Sequence, residues 1–99
     1  MRSLALIVLL SLAATAAAQL RTIPKEAKLG AIRHLQEMVV EIDGRPERLS
    51  PGAQIRDPEN RLVLPASLAE KSDARYLLDA AGLVHRVWIL TPLEKAQAR

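Results

Sequence analysis

The feature that most constrains this chain is residues 75–91, Arg-Tyr-Leu-Leu-Asp-Ala-Ala-Gly-Leu-Val-His-Arg-Val-Trp-Ile-Leu-Thr. Two apolar runs flank Asp79-Ala80-Ala81-Gly82. Aspartate opens a type I turn, and glycine takes the positive φ that closes it, so the stretch predicts a β-hairpin with a short loop and a glycine bulge. Its second arm, residues 83–90, is rich in β-branched residues and carries the only tryptophan, Trp88. Apolar residues fall on both of its faces, as expected of a central strand covered on both sides. On strict alternation, Leu83, His85, Val87 and Ile89 share one face and Val84, Arg86, Trp88 and Leu90 the other.

The chain opens with Met1-Arg2, an apolar run over residues 4–12 and an alanine-rich stretch ending Ala16-Ala17-Ala18-Gln19. A basic start, a short apolar run and small residues before a cut describe a secretory signal peptide over residues 1–18, cleaved after Ala18. Export to the periplasm follows, with no stable membrane insertion after cleavage. No cysteine exists anywhere in the chain, so lipid attachment at an N-terminal cysteine, disulfides and thiolate metal sites are all excluded. Residues 19–30 read as a flexible lead-in with a turn at Pro24, and residues 31–99 as one small domain. A domain of this size has a core that is only marginally sufficient.

Several turn signals divide that domain. Residues 31–42 become strand-like toward their end, with Met38, Val40 and Ile42 on one face, and Asp43-Gly44 has the chemistry of a type I′ hairpin turn. A short strand over residues 45–49 leads to Ser50-Pro51-Gly52, which reads as a second turn. Residues 53–56 and 61–64 read as brief strands on either side of the Asp57-Pro58-Glu59-Asn60 turn. Ser67-Leu68-Ala69-Glu70 has the spacing of a capping box for a short connector helix, and Thr91-Pro92-Leu93-Glu94 that of a second one opening a C-terminal helix. Strands this short and closely spaced predict a mainly β fold, a small SH3-like or OB-like barrel with a connector helix and a C-terminal helix.

Leu-Ser-Pro-Gly-Ala over residues 49–53, Asn60-Arg61-Leu62-Val63-Leu64, Tyr76-Leu77-Leu78-Asp79 and Val87-Trp88-Ile89-Leu90-Thr91 occur in this order. Together they resemble a group of small exported proteins of Gram-negative bacteria that carry no assigned activity. The resemblance spans most of residues 48–94. It implies a periplasmic location and brings no catalytic residues with it.

The residues themselves offer little catalytic chemistry. Ser50 lacks nucleophile-elbow spacing, Ser67 is explained as a cap, and the four scattered glycines make no phosphate loop. The expectation is a protein that is not an enzyme and needs no cofactor. Two histidines, His34 and His85, would suit zinc or copper with Glu37 or Glu41 if their strands were neighbours, although no metal-binding spacing requires it. Arg33, Arg48, Arg56, Arg61, Arg75 and Arg86 recur through the β region, and beside Trp88 they form the candidate ligand or partner surface. Interleaved acids (Glu41, Asp43, Glu47, Asp57, Glu59) argue instead for a neutralised surface. The chain therefore reads first as a periplasmic accessory module contacting an unknown protein partner, and second as a binder of an anionic envelope polymer or nucleic acid. Metal binding through His34 and His85 ranks third.

Overall fold

The structure, a computed structural model, describes residues 21–98; the expected signal peptide and its cleavage site lie outside them. Six strands, β1 (Lys28–Gln36), β2 (Val39–Ile42), β3 (Arg45–Arg56), β4 (Leu62–Val63), β5 (Ser72–Leu78) and β6 (Val84–Ile89), are followed by helix α1 (Pro92–Ala98). They hydrogen-bond in the order β2-β1-β5-β6-β3-β4, and a further β2–β3 pairing closes five of them into a barrel. β3 and β6 run parallel, whereas every other pair is antiparallel. A meander of three strands, closed by a hairpin whose second arm lies parallel to the third, is the Greek-key ordering of an OB-type barrel rather than an SH3-type one. β6 is central, as its composition predicts.

The core is aliphatic. Ile32, Val40, Val84 and Val87 are fully buried, joined by Ile42, Leu49, Ile55, Ala74 and Ile89. Leu68 enters from the segment between β4 and β5, and its carbonyl accepts from the His34 N–H at 2.7 Å. Gly30 is fixed by packing. A Cβ there would stand 2.8 Å from Ile42 Cγ2 and 3.1 Å from Tyr76 Cε1.

Turn chemistry explains two of the hairpins. Asp43 and Gly44 both take positive φ (51° and 83°), as a type I′ turn demands. In the β5–β6 hairpin, Asp79 Oδ1 accepts from the N–H groups of Ala81 and Leu83, and Gly82 sits at φ 83°.

Four sequence expectations are corrected. The strand expected over residues 31–42 is two strands, because Glu37 adopts φ 46° and reverses the chain. Ser50-Pro51-Gly52 does not turn; β3 runs through it, and the β3–β6 register instead jumps between Leu49 and Gln54. The connector is only a 3-10 turn, Pro65–Ser67, with Ser67 at its end donating Oγ to the Leu64 carbonyl at 2.7 Å. Proline at its start sets the turn before the capping box begins. Finally, a bulge at His85 breaks strict alternation, so Val84 and Val87 both point inward and Arg86 and Trp88 outward.

The second capping box forms as expected. Thr91 N–H donates to Glu94 Oε1 at 2.9 Å, and Glu94 N–H to Thr91 Oγ1 at 3.1 Å. Glu94 also receives Arg21, from the expected lead-in. The Arg21 guanidinium donates Nε to Oε2 at 3.1 Å and Nη2 to Oε1 at 2.8 Å, and it reaches the carbonyls of Asp57 and Ile89. Its side chain is only 6% exposed. The start of the described chain is thus tied to β6, α1 and the turn after β3, and β1 begins at Lys28 within the expected lead-in.

Replacing Ile32 with alanine is expected to cost about 2–5 kcal/mol in urea unfolding, against within about 0.5 kcal/mol for exposed Leu93→Ala. The Arg21 hydrogen bonds hold the Glu94 carboxyl below the usual carboxylate range, against the opposing effect of burial. An acid depressed on folding contributes stability at neutral pH and loses it as pH falls through its folded value. Thermal melts of the wild type should therefore drop below about pH 4.3, and Glu94→Gln should melt lower at pH 7 with a flatter acid profile. Arg21→Ala should cost about 2 kcal/mol, because a half-buried carboxylate and two carbonyls lose their partner.

Candidate binding surface on the outer sheet face

Cross-strand register builds the candidate site. On the outer face, Leu62 pairs with Arg56, Arg56 with Trp88, Trp88 with Arg75 and Arg75 with Leu29. Residues paired across a sheet share a face, with neighbouring strands about 4.8 Å apart. Trp88 therefore stands between two arginines, and the row runs into a leucine at each end. Arg86 is two residues before Trp88 on the same strand and face, paired with Gln54 and Leu77.

Three of the acids interleaved in sequence, Glu41, Asp57 and Glu59, are engaged elsewhere. Glu41 takes Arg33 at 3.0 Å on the β1–β2 hairpin. Asp57 and Glu59 hold Arg61 at 3.1 and 3.6 Å, and Glu94 holds Arg21. The Asp57 carboxyl is lowered first by the Arg61 backbone N–H, and Glu41 first by the Arg33 side chain. Among the described residues, Arg56, Arg75 and Arg86 have no carboxylate within ion-pairing distance. Each instead donates to main-chain carbonyls: Arg56 to Asn60 at 2.9 Å, Arg75 to Ala27 at 2.9 Å, Arg86 to His85 at 3.0 Å. Those bonds orient the guanidinium groups and leave their charge uncompensated. Arg75 and Lys25 also line a hollow of about 310 Å³ between the N-terminal segment and α1.

Of the sequence candidates, the structure brings together Arg56, Arg75, Arg86 and Trp88. Arg33 and Arg61 are ion-paired, and Arg48 lies opposite Val39 on the β2–β3 hairpin. Trp88 is half-buried on the outer face. Tyr76 pairs with Val87 and lies against the core on the opposite face.

The histidines do not meet. β5 separates β1 from β6. His34 Nε2 donates to the Glu37 carbonyl at 2.9 Å, a contact that fixes its tautomer. His85 Nδ1 lies 2.9 Å from Ser50 Oγ. Sequence reasoning found no base near Ser50, because the pairing arises only where the β3 and β6 irregularities face each other. Ser50 is 3% exposed, so the contact satisfies a buried hydroxyl. Among the described residues, no group of three or more acidic or imidazole side chains is placed to hold a metal ion.

Arg21 is the residue that sequence reasoning missed. Its one signal was the Glu94 of the capping box, an acid with capacity for a second partner.

Comparison with family models, with curated proteins and with solved structures returns no match.

The local field has a direct readout in Trp88, the only tryptophan. Iodide should quench its fluorescence more strongly than caesium, and Arg56→Ala with Arg75→Ala should bring the two quenchers toward parity. Raised salt should do the same, since the Debye length falls to about 3 Å at 1 M.

Proposed function

We propose that this protein is a non-catalytic binding module of the periplasm, exported with cleavage after Ala18, that acts by contacting another protein through the outer face of β3, β6 and β5. One observation carries the reading: the row Leu62–Arg56–Trp88–Arg75–Leu29, with its arginines free of carboxylates among the described residues. Tryptophan and arginine are the side chains most enriched among interface hot spots, where a rigid ring is flanked by planar donors. A non-catalytic role is supported by the burial of Ser50 beneath its histidine, which denies the hydroxyl an approaching substrate.

A second reading, an anionic polymer held by the same arginines, draws on base-stacking and phosphate contacts known for OB-like barrels. The leucines favour a protein. Leu62 is 57% and Leu29 46% exposed at the ends of the row, and neither adds anything to the capture of a polyanion.

Salt separates the two. Trp88 fluorescence titrated with blocked peptides mixing leucine and glutamate should report binding that weakens but persists at about 0.5 M salt, where screening acts within a few ångströms. Inorganic polyphosphate should bind more weakly and be lost at that salt by counterion release. Preferential polyphosphate binding would overturn the protein reading. Mass spectrometry of the periplasmic protein should begin at Gln19.

A further inference from the structure

β4 is the open end of the six-stranded order, paired to β3 on one side only. Its register decides which backbone groups are free. The Asp57 N–H donates to the Arg61 carbonyl at 2.9 Å, so Asp57 and Arg61 are a hydrogen-bonded pair, and Ile55 with Val63 is the next such pair along the ladder. Leu62, between them, points its N–H and C=O away from β3. The same alternation turns the Leu64 N–H outward, while the Leu64 carbonyl is taken by Ser67. Val63 packs inward against the core, and Leu62 and Leu64 present their side chains outward. Leu64 is 77% exposed. An edge with unsatisfied backbone and exposed leucines is a template for another strand.

Charge selects the occupant. Arg56 stands beside Leu62 on the same face without a carboxylate, whereas Arg61, which precedes it, is already ion-paired to Asp57 and Glu59. A second copy of this chain would offer Arg56 another uncompensated Arg56 rather than a carboxylate, so self-pairing is opposed. An acidic strand is favoured. We propose, building on the protein-contact reading above, that β4 receives an extended segment of the partner as an added antiparallel strand. The segment places two apolar residues, two positions apart, opposite Leu64 and Leu62. A carboxylate two positions further on reaches Arg56. Main-chain hydrogen bonds to Leu62 and Leu64 supply the register, and Arg56 supplies the sign selection.

The test uses amide NMR of the purified protein with the probe acetyl-Leu-Thr-Leu-Thr-Glu-amide at millimolar concentration. The expected result is shift changes at Leu62, Leu64 and the Arg56 side chain. A probe N-methylated on its backbone should lose them, and one with glutamine for glutamate should bind several-fold more weakly. Leu62→Pro removes an outward N–H and should abolish the shifts. The N-methylated probe makes the same test with the protein unaltered, should that variant fail to fold. Probe binding that leaves β4 unshifted and is insensitive to N-methylation overturns the edge inference, while the protein-contact reading stands. No peptide binding alongside polyphosphate binding overturns both. A stable dimer in sedimentation that Leu62→Pro dissociates overturns the acidic-partner inference in favour of a second copy.

Discussion

The parallel seam between β3 and β6 is the constraint on which the rest of this structure depends. Parallel strands cannot be joined by a tight hairpin, so the chain after β3 must travel before β6 can lie beside it. The segment containing β4, the 3-10 turn and β5 makes that journey. Closing the seam converts a sheet into a barrel, buries Ile55 against Val87, and leaves β4 as an added strand outside the closed ring. The same seam brings Arg56 beside Trp88 and juxtaposes Ser50 with His85 where the ladder skips. Core, candidate surface and open edge are consequences of one pairing.

Electrostatics set apart two groups among the arginines. Arg21, Arg33 and Arg61 each find a carboxylate, whereas Arg56, Arg75 and Arg86 find only main-chain carbonyls among the described residues. Exposed ion pairs such as that of Arg61 add little to stability, about 0–1 kcal/mol. The Arg21–Glu94 pair is different, because its guanidinium is nearly buried and bridges the N-terminal segment, α1 and the turn after β3. Arg21 ties the fold together, whereas Arg56, Arg75 and Arg86 supply a positive field around a half-buried tryptophan.

Much of the fold is legible where a residue's chemistry is local. Asp43-Gly44, Asp79 through Gly82 and Thr91 through Glu94 carry their geometry in two to four consecutive residues, and all three motifs form. Reasoning fails where non-local pairing decides. Ser50-Pro51-Gly52 has the composition of a turn, yet β2 and β6 hold β3 on either side of it and the irregularity is absorbed within the strand. Val84 is placed on the wrong face by strict alternation, since the bulge at His85 is invisible without the partner strands. The candidate surface is half legible: seven residues were named, and the ion pairs that remove Arg33 and Arg61 depend on contacts no spacing rule contains. Arg21 lies far in sequence from Glu94, so its role follows only from the fold.

The most direct test of this account is a NOESY spectrum of the folded protein, read from the Trp88 indole protons. The parallel seam predicts contacts from that ring to side-chain methylenes of both Arg56 and Arg75, and none to Tyr76. Indole contacts to Tyr76 and to the buried methyls of Val84 and Ile55 would instead place Trp88 inside the barrel. That result would remove the outer-face row on which the functional reading stands.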